Sequence, residues 1–172
     1  PDALVPGGGN VAYPPRTANL QHEVELVVAL GRGGADIPVG QALDHVFGYA
    51  VGIDLTRRDL QIAAKEKWRP WDTGKGFDQS GPLSAQLPSR ACGHLRSGRV
   101  WLKVNGAMKQ DGDLGQMTWG VAEIIANLST YVSLAAGDLI FTGTPAGVST
   151  IGRGDTLECG IDGVGNLAVT LV

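Results

Sequence analysis

Leu20-Gln21-His22-Glu23-Val24-Glu25-Leu26-Val27-Val28-Ala29-Leu30 is the stretch that decides the fold. It is apolar and rich in β-branched residues, has the length of a strand, and stops at Gly31 with Gly33 and Gly34 behind it. Residues two apart on a strand share a face. One face carries Glu23, Glu25, Val27 and Ala29, and the other His22, Val24, Leu26, Val28 and Leu30. Both are mostly apolar, so the strand is expected to be covered on both sides. Two carboxylates on a covered strand need compensation, because an unpaired buried charge costs several kcal/mol. A hard divalent cation with oxygen ligands is one answer. The other is that both glutamates lie at a strand end in water, paired with Arg or Lys. The spacing alone leaves both open.

Working outward, Val39–Phe47 is expected as a short helix with Leu43, Val46 and Phe47 on its apolar face. Tyr49–Ile53 reads as a strand that ends at Asp54. A helix then starts after Thr56 as its N-cap, with Asp59 in its first turn, and runs to about Lys67 with Leu60, Ala63 and Ala64 inward. Pro70 stops it. Residues 71–89 read as a long connection. Arg99–Val104 and Ala107–Gln110 flank Asn105-Gly106, a strong hairpin signal. A second helix is expected over Thr118–Tyr131, with Val121, Ile124, Ile125 and Leu128 on one stripe. Leu139–Phe141 is a strand, and 155–161 with 166–172 form a closing hairpin. The 26 glycines among 172 residues fit short strands and tight turns better than a helical bundle. The class is β-rich α+β, with residues 1–172 as one domain.

Composition excludes several functions. Hydrophobic residues make up 43% and charged residues 18%, enough apolar material for a packed core. Net charge is −3, which argues against a dedicated nucleic-acid binder. No run approaches the length of a membrane span. The first residues lack a basic segment followed by an apolar one, so no signal peptide is expected. Cys92 and Cys159 fit no zinc spacing, and a reducing cytoplasm is the expected compartment.

Asp54, where an apolar strand gives way to a helix, is the natural third carboxylate beside Glu23 and Glu25. Such a site would leave Mg²⁺ open positions for water or a bidentate oxygen ligand. Lys75, between Gly74 and Gly76, can meet an anion or a developing enolate, or be a solvated loop lysine. Arg57, Arg58 and Gln61 lie in the first turns of the helix after Asp54, where two of them can face the same pocket and the rest would be surface. Thr142-Gly143-Thr144-Pro145 offers hydroxyls and N–H groups to a carboxylate, although an ordinary turn after a strand looks the same. His22, His45 and His94 form no metal spacing.

The motifs His22-Glu23-Val24-Glu25-Leu26, Asp54-Leu55-Thr56-Arg57-Arg58-Asp59-Leu60-Gln61, Gly74-Lys75-Gly76-Phe77-Asp78 and Phe141-Thr142-Gly143-Thr144-Pro145-Ala146-Gly147-Val148 occur in the order seen in the fumarylacetoacetate hydrolase family. Trp101–Gly106 and Gly160–Gly165 fit its hairpin and C-terminal end, and the chain resembles the family from about Tyr13 onward. The resemblance implies a mixed β roll with short helices, usually a homodimer. It implies Mg²⁺ or Mn²⁺ on Glu23, Glu25 and Asp54, with Lys75 catalytic and Gln61 and Thr144 on the substrate. Arg58 joins them as a substrate-binding candidate. The activity implied is hydrolysis of the C–C bond of a 2,4-diketo acid, as in aromatic catabolism, with fumarylpyruvate the expected substrate. Decarboxylation of oxaloacetate, or decarboxylation and isomerisation of a hydroxymuconate-type diacid, are alternatives on the same platform. A non-catalytic keto-acid or metal binder is a third reading. The family's water-activating His and Glu, on a mobile lid, are expected upstream of Pro1, and no histidine here matches that His.

Overall fold

A computed structural model describes residues 2–172. The strands in chain order are β1 (Leu4–Pro6), β2 (Gly9–Val11), β3 (Leu20–Gln21), β4 (Val24–Leu30), β5 (Val46–Ile53), β6 (Thr56–Arg57), β7 (Gly81–Leu83), β8 (Leu87–Pro88), β9 (Arg99–Val104), β10 (Ala107–Asp113), β11 (Leu139–Phe141), β12 (Thr150–Ile151), β13 (Thr156–Ile161) and β14 (Gly165–Leu171). The helices are short: α1 (Arg58–Lys65), α2 (Asp72–Lys75), α3 (Ser89–Cys92) and α4 (Val121–Leu128). One sheet has the order β1-β7-β5-β4-β11 with β8 also on β5, a second is β10-β9-β13-β14-β2, and a small third is β12-β3-β6. Among the described residues no helix is long and apolar enough to cross a membrane.

The central strand β4 is flanked on both edges, antiparallel to β5 and to β11. All seven of its residues are buried. Val24, Leu26, Val28 and Leu30 enter the main core with Leu102, Leu157, Ile125 and Tyr49. Val27 packs on the other face with Ala50 and Leu83, joined by half-buried Leu139 and Phe141. Each such side chain contributes about 1.5–3 kcal/mol, so the register that puts the glutamates beside Val27 is strongly held.

The decisive stretch is not one strand. It breaks at His22-Glu23: Gln21 pairs with Thr56 in the small sheet, while Val24 pairs with Ile53 in the large one. The chain therefore turns between sheets at Glu23, and the neighbouring strand does the same at Asp54. The Asp54 N–H donates to the Glu23 carbonyl at 2.8 Å, tying the two corners together.

Several local expectations change. Val39–His45 is a 3₁₀ helix, and Phe47 belongs to β5 and stands 48% exposed rather than on an apolar helix face. Thr56 does not cap α1: it lies in β6, and its hydroxyl donates to the Asp54 carbonyl. The helix begins one residue later with no side-chain cap, and Gln61 is its buried residue; Ala63 is exposed. A pairing strand claimed the residue that propensity gave to the cap. Asp59 accepts instead from the Thr17 hydroxyl and the Ala18 N–H. Residues 71–89 hold α2, β7 and β8, not an unstructured connection. The Asn105-Gly106 hairpin forms as expected, with φ of 50° and 79° at its central residues, the signs a tight I′ turn demands. Helix α4 forms but is shorter than expected, from Val121 to Leu128.

Gly147 shows how tightly the loop after β11 is seated. Its φ is +105°, and a Cβ there would overlap the Lys109 carbonyl oxygen. Strain and a backbone clash act together, so Gly147→Ala is expected to destabilise by more than about 2 kcal/mol. Chemical denaturation checks this; an unchanged midpoint would refute it.

Candidate active site

Four elements converge on one small region. Glu23 comes from the corner before β4, and Glu25 from β4 itself. Asp54 comes from the corner after β5, and Lys75 from the last residue of α2. One carboxylate oxygen each of Glu23, Glu25 and Asp54 lies within 4.8 Å of the others. Glu23 and Glu25 are 8% and 4% exposed, and Asp54 is half-buried.

The Lys75 ammonium donates to Glu23 Oε2 at 2.6 Å and to Asp54 Oδ2 at 2.5 Å. Arg58 donates through Nη2 to Glu23 Oε1, through Nε to Gln21 Oε1 at 2.7 Å, and through Nη1 to Gln61 Oε1 at 2.6 Å. Gln61 is thus brought to the site's edge by the guanidinium. Burial alone would lower the Lys75 pKa, but its bonds to Asp54 and Glu23 outweigh that and hold it above the usual range. Burial raises the Asp54 carboxyl although Lys75 opposes it.

Glu25 differs from its two neighbours. No basic group lies within ion-pair distance of it among the described residues. Its Oε2 accepts the Gly143 N–H at 2.7 Å. Burial, only partly offset by that bond, pushes its carboxyl up to about 7. A buried carboxylate short of positive charge, beside two others within oxygen-ligand reach, fits a divalent cation. The donors are all hard oxygens, the type that Mg²⁺ and Mn²⁺ prefer.

The same feature sets a pH dependence of the metal-free protein. The carboxyl is at about 7 folded against an ordinary 4.5. The folded state therefore resists ionisation: the penalty is absent below 4.5, grows between 4.5 and 7, and is complete above 7. It is on the order of 3 kcal/mol. Glu25→Gln keeps an acceptor for Gly143 and loses the charge. In chelator at pH 8 this variant should melt several degrees above wild type, with the gap closing toward pH 4.5. A lower melting temperature at pH 8 would refute the assignment. With Mn²⁺ added, the order should reverse.

The loop Thr142-Gly143-Thr144-Pro145 runs beside Glu25. The Thr142 hydroxyl donates to the Leu26 carbonyl, and the Thr144 hydroxyl to the Val24 carbonyl, both at 2.8 Å. The loop also lines a cavity of about 510 Å³ with Leu26, Met117 and Trp119. None of the three carboxylates lines that cavity.

The histidines are engaged elsewhere. His22 points to the opposite face, bonding Gln110 and Ser149. His45 bonds Arg32, and His94 bonds the Tyr49 hydroxyl. Gln110 was not expected at the site. It is wholly buried and bridges His22 and Val24 to Thr144 and Pro145 of the loop. Its sequence context, Lys109-Gln110-Asp111, is polar throughout, so nothing in the pattern separates it from its exposed neighbours.

The family model for fumarylacetoacetate (FAA) hydrolase C-terminal matches residues 1–172. This chain belongs to the fumarylacetoacetate hydrolase family. Among curated members of this family, a fumarylpyruvate hydrolase of a Ralstonia species is 44% identical over 171 residues, covering 99% of this chain and 88% of that protein. The mitochondrial oxaloacetate tautomerase of Rattus norvegicus is also 44% identical, over 162 residues, covering 94% of this chain and 73% of that one. The crystal structure of fumarylpyruvate hydrolase from Pseudomonas aeruginosa in complex with Mn²⁺ and pyruvate superimposes with a TM-score of 0.97 at 46% identity, over 99% of this chain and 75% of that one. The β-rich roll with short helices is the family fold.

Proposed function

We propose that this member of the family is a divalent-metal-dependent acylpyruvate hydrolase, with fumarylpyruvate as its substrate. The observation that carries the reading is the convergence of three buried carboxylates with Lys75 at the junction of two strand corners. The 44% identical fumarylpyruvate hydrolase, and the Mn²⁺ and pyruvate held by the Pseudomonas aeruginosa enzyme, support it.

Glu23, Glu25 and Asp54 would hold Mg²⁺ or Mn²⁺. When bound, the ion would supply a Lewis acid for the carboxylate and 2-oxo oxygens of the substrate. The chain's own groups do the rest. Water adds to the distal carbonyl carbon, the C–C bond to the pyruvate methylene breaks, and its electron pair leaves as a pyruvate enolate that is then protonated. Lys75, an ammonium, places positive charge where that enolate develops. Arg58, bonded to Glu23, and Gln61, held by Arg58, orient the substrate from α1. The loop at Thr144 faces the substrate carboxylate. The Thr144 hydroxyl already donates to Val24, the Gly143 N–H to Glu25 and the Thr142 N–H to the Leu26 carbonyl, and Pro145 has no N–H, so the Thr144 N–H is the donor of this stretch left to meet it. None of the three histidines is placed to activate the water, so that role is not assigned to them. We read residues 1–172 as one catalytic unit that works as a homodimer, and light scattering on the purified protein checks the dimer.

The 44% identical oxaloacetate tautomerase favours a second reading, enol–keto or decarboxylation chemistry on oxaloacetate with the same groups. The two separate in one experiment. Fumarylpyruvate and oxaloacetate are offered to the Mn²⁺-loaded protein and products are followed by NMR. The hydrolase reading predicts pyruvate and fumarate in equal amounts, at a kcat/KM at least tenfold above any oxaloacetate reaction. Faster processing of oxaloacetate, with fumarylpyruvate untouched, would overturn it.

A further inference from the structure

Gln110 sits with no exposed surface between β4 and the 142–145 loop. Its Oε1 accepts from the Val24 N–H at 3.2 Å and from His22 Nδ1 at 2.8 Å. Its Nε2 donates to the Pro145 carbonyl at 2.9 Å and to Thr144 Oγ1 at 2.8 Å. Val24 N–H can only donate and the Pro145 carbonyl can only accept, so one orientation of the amide satisfies both. Every proton nearby then follows. His22 carries its proton on Nδ1, and its Nε2 accepts from the Ser149 hydroxyl at 2.9 Å. Thr144 Oγ1 accepts from Gln110, so its own proton goes to the Val24 carbonyl at 2.8 Å. The residues so held are the site's neighbours: His22 and Val24 flank Glu23, and Gly143, beside Thr144, donates to Glu25.

We propose that Gln110 is a positioning residue that fixes the distance and the donor direction of the 142–145 loop relative to Glu23 and Glu25. It acts through Thr144 and Val24 and touches no substrate. A single carboxamide clamps the backbone between the two glutamates to the loop that faces the substrate carboxylate. The inference rests on the proposed reaction only for what the loop binds. The clamp itself is read from the resting protein.

The test uses Mn²⁺ and pyruvate as probes on the whole chain. Gln110→Glu keeps the acceptor for Val24 and His22 but turns an acceptor toward Thr144 and Pro145. Mn²⁺ affinity should stay within about threefold while the pyruvate Kd rises about 10–100-fold, the range for residues that orient ligating groups. In a Thr144→Val background the same change should cost less than it does in wild type, because one of the two loop partners of the carboxamide is gone while the Pro145 carbonyl remains. An undiminished effect there overturns the proposal, as does unchanged pyruvate binding in folded Gln110→Glu. Should that variant fail to fold, Thr144→Ser against Thr144→Val serves: the serine should match wild type and the valine should not, and equal affinities refute the role of the hydroxyl. Independently of any ligand, ¹⁵N NMR should show His22 as the Nδ1–H tautomer, and the Nε2–H form would overturn the network. Wild-type protein without acylpyruvate turnover would sink the reaction and leave that NMR reading to judge the clamp.

Discussion

Asp54→Asn should lower kcat by about 10³-fold or more with the fold intact. The side chain brings the third carboxylate oxygen to the cluster with Glu23 and Glu25, and two tasks are expected of it. It would hold the cation, and it anchors the Lys75 ammonium at 2.5 Å. Asparagine keeps the size and one oxygen but loses the charge that both tasks need. The fold should survive because the corner itself is held by backbone. Asp54 N–H bonds the Glu23 carbonyl, and Leu55 N–H bonds the Ser80 carbonyl. The check is steady-state turnover of fumarylpyruvate beside a thermal melt in chelator. Turnover within tenfold of wild type would remove Asp54 from the site.

Lys75→Met should lower kcat by about 10²–10³-fold, the usual loss when a group aimed at a developing anion is removed. The methionine fills similar space without charge. If the lysine meets charge that appears only at the transition state, KM should change far less than kcat. The metal-free variant should also be less stable, since Glu23 and Asp54 lose their shared ammonium and face each other across a half-buried space. Added Mn²⁺ should restore that stability but not the rate. A variant with normal kcat and a raised KM would make Lys75 a ground-state binder instead.

Much of this arrangement is legible in the sequence because strand alternation is rigid. Glu25 and Val27 share a face because β4 is regular, and Glu23, at the corner just before β4, brings its carboxylate to that of Glu25; covering both faces of the strand makes uncompensated carboxylates expensive. Asp54 is legible as the residue where an apolar strand stops. The Asn105-Gly106 hairpin and the β11 strand follow from equally local signals. The chain's resemblance to its family added the expected roles of Lys75, Gln61 and Thr144, which residue patterns alone could not distinguish from a surface lysine, a helix side chain and a turn.

What the sequence hides is set by tertiary pairing. Thr56 has the chemistry of a helix cap, yet it pairs with Gln21 and so moves the helix start. Phe47 belongs to a strand that begins earlier than its apolar run suggests. Lys75 is carried by a four-residue helix inside a segment whose glycines and prolines read as loop. Gln110 is buried by a contact between β10 and a loop more than thirty residues later, and no local pattern encodes that.

Glu23, Glu25 and Asp54 are expected to form a single divalent-cation site at which a keto acid is held. Electron paramagnetic resonance of Mn²⁺ titrated into chelator-stripped protein tests it most directly. Wild type should take up one ion per chain, with a spectrum that changes when pyruvate is added. Asp54→Asn and Glu25→Gln should each leave the Mn²⁺ free at the same concentrations. Wild-type protein that leaves Mn²⁺ free, or variants that bind it as tightly as wild type, would contradict the claim.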